Sequence, residues 1–441
     1  MAAAPAPIES APGASRDDID LLQAASLPLD AFNLPPETVR ARFDWATRQG
    51  QPMWLWPDVA VDDWQSALRS IEQVLREMLT GRQATTPLDG DPEAIGIACY
   101  TSGVGPLLGF WLEQGVIAAS PPVAAVLEFH LRHNRLRMNR LSAEAVTLAT
   151  TLASAGVGVT LLKGLHTVRY FPEPGTRPVS DIDLLVAEGD EQALASIMRA
   201  LGYEPGLISR GPPPQQEWRL PDVPIEPCSL CFVHADDPWS VDVQTSLNRR
   251  YSPGAPMIQL DHALADGARA PWSLVPEADV LAQPLLLLQL AVHASCGFQS
   301  LNMLRLVELV LIIRRDVADG LLSWDAFLAL AEQLEALGLV YPALRLCEML
   351  VPGTIPAEVM ARCTRLTPGA VRHVVDRLTP ANAQRVVRYS IAEKFMWSGS
   401  RLSILRQLLS DVVPPGMGSA SDLFGAYRKR AWKIARQTLS R

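Results

Sequence analysis

"LLKGLHTVRYFPEPGTRPVSDIDLLVAE", residues 161–188, decides how this 441-residue chain folds. It begins inside "VGVTLL" (157–162), a short β-branched run beside glycine that reads as a buried strand. A Lys-Gly turn follows, then "HTVRYF", with room for one or two helical turns before "PEPG" stops them. "SDIDLLVAE" (180–188) reads as a second strand. Strand side chains alternate faces, so Asp181 and Asp183 share one face while Ile182 turns to the other. Two carboxylates side by side repel and call for a cation. Hard oxygen ligands favour Mg²⁺, which takes one or two protein carboxylates and fills its shell with water and substrate phosphates.

Two further features point the same way. Only four of the 39 basic residues are lysines, namely Lys163, Lys394, Lys429 and Lys433. In so arginine-rich a chain, Lys163 next to Gly164 is informative: it is a compact, mobile charge able to follow a phosphate oxygen. Downstream, "WSVDVQTSL" (239–247) reads as another strand, with Asp242 turned away from Val241 and Val243. If that strand lies beside the first pair, three carboxylates converge. Such a set with two ions about 3.5–4 Å apart is the clamp used in phosphoryl and nucleotidyl transfer.

Taken together, "LLKG…YFPEPGTRPVSDIDLLV…ALGY…VDVQ" resembles the uncharacterised bacterial nucleotidyltransferase family of the DNA polymerase β superfamily. The resemblance covers about residues 155–250, and a weaker one runs on to "HASCGFQSLNMLRLVELV". It implies an α+β fold: a small palm-like mixed sheet with helices, flanked by helical N- and C-terminal regions. It also implies transfer of a nucleoside monophosphate from a nucleoside triphosphate, with two Mg²⁺ ions or Mn²⁺ in their place. Asp181, Asp183 and Asp242 match the catalytic, metal-holding carboxylates. Lys163, Gly164, Arg177 and Ser180 match the phosphate-binding turn and the segment leading into the pair. His293, Arg305 and Glu308 fall at polar positions on C-terminal helices and are acceptor-side candidates. Two departures stand out: the turn is Lys-Gly where the superfamily has Gly-Ser, and Gln244 stands where the family carries histidine.

Composition bounds the rest. An apolar share of 48% fits a large packed core, and a net charge of −8 disfavours a long nucleic-acid partner, which needs phosphates neutralised. The expected acceptor is therefore a small molecule, peptide or sugar-like metabolite. No secretory signal or uninterrupted apolar run of about 18–20 residues is visible, so the sequence predicts a cytoplasmic protein without a transmembrane segment. The expected organisation is a disordered tail (1–18), a helical N-terminal region (19–156), a nucleotidyltransferase core (157–275) and a helical C-terminal region (276–441). Within the core, "GDEQALASIMRALGY" reads as a helix, "RGPPPQQEW" as a loop and "CSLCFVHA" as a strand.

Competing readings exist. Cys228, Cys231 and His234 have spacing that could begin a zinc site, but no second pair completes it, so buried thiols are the expectation. "FHLRHNRLRMNRL" (129–141) puts six basic side chains on one helix, His130, Arg132, His133, Arg135, Arg137 and Arg140, read as a solvated face. The tail "YRKRAWKIARQTLSR" reads as a basic helix. Arg305 and Glu308, three apart, are expected to pair with each other, and His293 to be a hydrogen-bonded core residue. Functional rivals are transfer of another phosphate-linked group, such as a glycosyl unit, and a non-catalytic nucleotide-binding module.

Overall fold

The computed structural model describes residues 59–383, apart from 83, 85, 210–213, 222–232, 251–256, 265–267 and 297–300, together with 396–397. The 1–18 tail, Cys228, Cys231 and the basic C-terminal tail lie outside these residues.

The chain opens with helices α1 (Val61–Leu79), α2 (Pro92–Ser102), α3 (Gly105–Glu113) and α4 (Pro121–Ser154). In α1 the apolar residues Trp64, Leu68, Ile71, Leu75 and Leu79 recur at helical spacing and are all buried. Helix α2 starts where Asp91 accepts from the backbone N–H of Glu93 and Ala94, and ends at Gly103 in the left-handed conformation. Helix α4 spans 34 residues and joins two cores. Its first half (Val123, Val126, Leu127, Phe129) packs among helices, and its second half (Leu141, Leu148, Leu152) packs on a sheet.

The next elements are β1 (Val159–Leu161), the short α5 (Gly164–Thr167), β2 (Asp181–Val186), α6 (Glu191–Ala200), β3 (Glu204–Ser209), β4 (Gln215–Arg219) and β5 (Ser240–Gln244). After a small β6–β7 hairpin (Arg249–Arg250, Met257–Ile258) and α7 (Asp261–Leu264) come β8 (Arg269–Trp272) and β9 (Val275–Leu281). The main sheet has seven strands in the order β3-β4-β5-β2-β1-β9-β8. It is mixed: β2 runs parallel to β5 and antiparallel to β1, which is parallel to β9. Helices α8 (Leu285–Cys296), α9 (Met303–Ala318), α10 (Trp324–Gln333), α11 (Tyr341–Leu350), α12 (Ala357–Leu366) and α13 (Gly369–Val375) complete the described chain. The fold is α+β. Among the described residues no single helix is long and apolar enough to cross a membrane.

Alternation sorts the strand side chains between the two cores. Ile182, Leu184, Val186, Val241 and Val243 pack with the second half of α4 and with α6. Leu185, on the opposite face of β2, belongs to the helical core with α8 and α9. The face bearing Asp181, Asp183 and Asp242 therefore turns toward the C-terminal helices.

Three local expectations are corrected. Residues 215–218, read as part of a loop, belong to β4, which is set by antiparallel pairing with β3 and β5. Strands β3, β8 and β9 carry proline, glycine or acid and lack a clean β-branched run, so they were not anticipated; sheet pairing sets them. The basic run on α4 is not a solvated face: His130, His133 and Arg137 are buried, Arg135 pairs with Glu113 and Glu173, and Arg140 pairs with Asp236.

Candidate active site

The sheet register builds the site. β2 and β5 pair with Asp183 opposite Asp242 and Asp181 opposite Ser240. Ligand oxygens of Asp181, Asp183 and Asp242 lie within 4.8 Å of one another. Ser180 Oγ donates to Asp181 Oδ1 at 3.0 Å, and Ser240 Oγ to Asp242 Oδ1 at 3.3 Å. One strand further out, Glu217 on β4 pairs in register with Asp242, and its charge adds to the repulsion there.

Such crowding leaves a chemical mark. Burial pushes the Asp183 carboxyl up to about 7, against the pull of Lys163 and with added repulsion from Asp181 and Asp242. Asp242 is also raised, by burial and then by Asp181. Asp183 Oδ2 is buried with no hydrogen-bond partner among the described residues. A buried carboxylate oxygen without a donor is costly unless a cation meets it. The donor set is all-oxygen and acidic, as a hard divalent ion requires. These three residues could hold a metal ion.

Lys163 supplies the positive charge within the described structure. Its Nζ lies 2.9 Å from Asp183 Oδ1 and 3.9 Å from Asp181 Oδ2. Burial works against its charge, but the two aspartates outweigh it and hold the ammonium above its ordinary range. The backbone is bent to put it there: Lys163 has φ 29°, in the left-handed region that a non-glycine residue enters only at a cost. Gly164 follows at φ 38°, and a Cβ on it would meet Val179 Cγ1 at 3.1 Å, so only glycine fits the turn easily. The Leu162 N–H donates to the Asp183 carbonyl at 3.0 Å, fixing the turn beside the acids.

The remaining candidates line a cavity of about 140 Å³ between this turn, the 177–183 segment, α8 and α9. They fall into two groups. Arg177 and Glu308 are bound to each other, with Nε and Nη2 at 2.8 and 2.6 Å from Glu308 Oε1. Thr167 Oγ1 donates to that same oxygen, and Arg177 Nη1 donates to the Pro178 carbonyl at 3.2 Å. Glu308 thus pairs with Arg177 and not with Arg305, three residues away on its own helix: the buried fork-shaped partner wins. Arg305 and His293 form the second group. The Arg305 guanidinium makes no hydrogen bond or ion pair among the described residues, and burial lowers its pKa despite Glu308. His293 is held well below its usual range, first by burial and then by Arg305, and its buried Nε2 has no partner among the described residues. It is not the satisfied core histidine expected.

Sequence reasoning passed over Thr167 and Asn302. Asn302 lines the cavity and caps α9 by accepting from the Arg305 N–H at 3.2 Å, and an asparagine ahead of "MLRLVELV" is a visible cap signal. Thr167 had no local signal, since its partner lies 141 residues away. Gln244 is buried: its Oε1 accepts from Gln215 Nε2 at 2.7 Å, and its own Nε2 is unpartnered among the described residues. His234, the third member of the cysteine motif, packs 4.4 Å from His133 ring to ring.

Compared with known families, residues 90–352 match the model of one described as an uncharacterised nucleotidyltransferase. The chain belongs to that family. The match runs from α2 through α11 and takes in the whole sheet, the three aspartates and the cavity. No curated protein and no solved structure matches the chain. Membership in this nucleotidyltransferase family implies a nucleoside triphosphate substrate.

Proposed function

We propose that this nucleotidyltransferase moves a nucleoside monophosphate from a nucleoside triphosphate to a hydroxyl or phosphate of a small-molecule, peptide or sugar-like acceptor, using Mg²⁺ and a palm-like core of the DNA polymerase β superfamily. What supports the reading is the convergence of Asp181, Asp183 and Asp242 from two parallel strands, beside a cavity lined by Lys163, Arg177 and Arg305.

Asp181, Asp183 and Asp242 would hold the ions. Mg²⁺, when bound, polarises phosphoryl oxygens and offsets the charge of the leaving group. The protein's part is placement. The acceptor oxygen forms a bond to the α-phosphorus, the bond from that phosphorus to the bridging oxygen breaks, and pyrophosphate leaves with the electron pair. The proton of an acceptor hydroxyl passes to an Asp242 oxygen, whose raised pKa suits it to the task. Lys163, tethered by Asp183, turns its free N–H groups to phosphate oxygens, and Gly164 lets the backbone approach them. Ser180 keeps Asp181 oriented. Arg177 works through Glu308 as a positioning residue that ties the Lys-Gly turn to α9.

Incubation with labelled triphosphates, Mg²⁺ and candidate acceptors tests this directly. Asp181→Ala should lower pyrophosphate release by about a thousandfold or more. Release that survives the substitution counts against nucleotidyl transfer at this site. Product mass separates a nucleotidyl adduct from a hexose adduct, and triphosphate binding without turnover would identify a binding module.

A further inference from the structure

We propose that the cavity between the Lys163–Gly164 turn and α9 is the seat of the pyrophosphate group, and that Arg305 is the side chain that ligates it. The inference rests on the nucleotidyl-transfer reading above and assigns Arg305 to the leaving group instead of the acceptor.

Size comes first. At about 140 Å³ the cavity is well below the roughly 300–1,000 Å³ of pockets that enclose drug-sized ligands. A diphosphate group fits such a space; a nucleoside or a peptide does not. Base, sugar and acceptor must then lie outside it.

Chemistry comes second. Among the described residues three cations line the cavity, and two already have carboxylate partners: Lys163, tied to Asp183 with N–H groups to spare, and Arg177, on Glu308. Arg305 alone among these three has a guanidinium with no hydrogen bond or ion pair among the described residues. A half-buried guanidinium with unmet donors is expensive, and its fork matches two phosphate oxygens. His293 extends the set. Its buried, unpartnered Nε2 lies in the wall of the same cavity, and a neutral ring can donate one N–H to a phosphate oxygen. The Asn302 side-chain oxygen is committed to capping α9 through the Arg305 backbone N–H.

Charge comes third. Asp181, Asp183 and Glu308 also line the cavity, so a bare anion meets repulsion there. Pyrophosphate therefore enters as its magnesium complex, with the carboxylates on the ion side and Arg305 on the oxygen side. A carboxylate ligand would gain less, because it has only two oxygens to divide between ion and guanidinium, where pyrophosphate can offer the guanidinium fork two of its own.

The test is calorimetric titration of the full chain with sodium pyrophosphate in Mg²⁺, with no acceptor and no turnover. Wild type should bind pyrophosphate more tightly than inorganic phosphate. Arg305→Ala should weaken pyrophosphate tenfold or more, Arg305→Lys should restore part of that, and adenosine or guanosine monophosphate affinity should change less than twofold. A pyrophosphate affinity unchanged by Arg305→Ala overturns the assignment, as does wild type that fails to bind pyrophosphate. The two readings fail separately. Arg305-dependent pyrophosphate binding without turnover of any triphosphate leaves the subsite standing and removes the transfer reaction. Turnover with Arg305-independent pyrophosphate binding does the reverse.

Discussion

Two arginines flank the segment that leads into Asp181, and they have opposite fates. Arg137, from α4, is 3% exposed and gives its guanidinium to main-chain carbonyls: Val179, Ser180 at 3.4 Å, Asp237 at 3.3 Å and Pro238 at 3.0 Å. Arg305, from α9 on the cavity side, has no such bond among the described residues. One cation fixes the backbone around the acids; the other is left with its donors open. Around the cavity, too, the described residues collect an orphaned Asp183 oxygen, an orphaned His293 nitrogen and a strained Lys163. Buried polar groups are normally satisfied, so a cluster of unmet ones beside a cavity marks where a ligand completes the structure.

The comparison can be broken by substitution. Arg137→Met should cost the most stability, on the order of 4 kcal/mol, since each buried acceptor left dry costs about 1–3 kcal/mol. Urea unfolding measures it, and a loss near zero would mean that these carbonyls are not dry. Glu308→Ala comes next. It leaves Arg177 buried without its partner, a change that costs about 3 kcal/mol or slightly more. The double variant Arg177→Met/Glu308→Leu should recover most of that stability while remaining impaired in turnover, because the turn loses its tie to α9. Full recovery of turnover would remove the pair from the site.

His166 sharpens the contrast from a third direction, because its Nε2 is orphaned in sealed packing and not at the cavity. Burial, then Arg169, push its pKa down to about 3. The unfolded chain, with an imidazole near 6.5, binds the proton that the folded chain refuses, so stability falls as pH drops from about 6.5 toward 3. At pH 5 the contribution is about 2 kcal/mol. Denaturation at pH 7 and pH 5 should show that His166→Gln flattens the difference by about this amount; an unchanged slope assigns the acid sensitivity to other groups. The smallest loss belongs to Arg305→Ala, which should cost no more than about 0.5 kcal/mol because it also relieves the burden of a guanidinium with unmet donors. A large loss would show that Arg305 is structural after all, as Arg137 is.

Much of the site was legible along the chain because its signals are local. Asp181 and Asp183 share a face by strand period alone, Lys163 and Gly164 are adjacent, and Asp242 stands out between two valines. Pairings across long separations were not legible. Glu308 sits at helix spacing from Arg305, and nothing nearby reveals that Arg177, 131 residues earlier, takes it instead. The basic run on α4 looked solvated because a charge count does not say which residues a 34-residue helix buries as it passes from one core to the other. Strands such as "RAPW" and "EPGLIS" carry weak propensity, and the neighbours that pair with them do the persuading.

By itself, then, the sequence determined the chemistry on offer: an acidic pair, a lysine-glycine turn, a third acid and the periodicities that carry them. Tertiary structure alone decided which charges are spent and which stay open. Residue types and spacing fix what a side chain can donate or accept, but whether a partner is present depends on how helices from distant parts of the chain seat against the sheet.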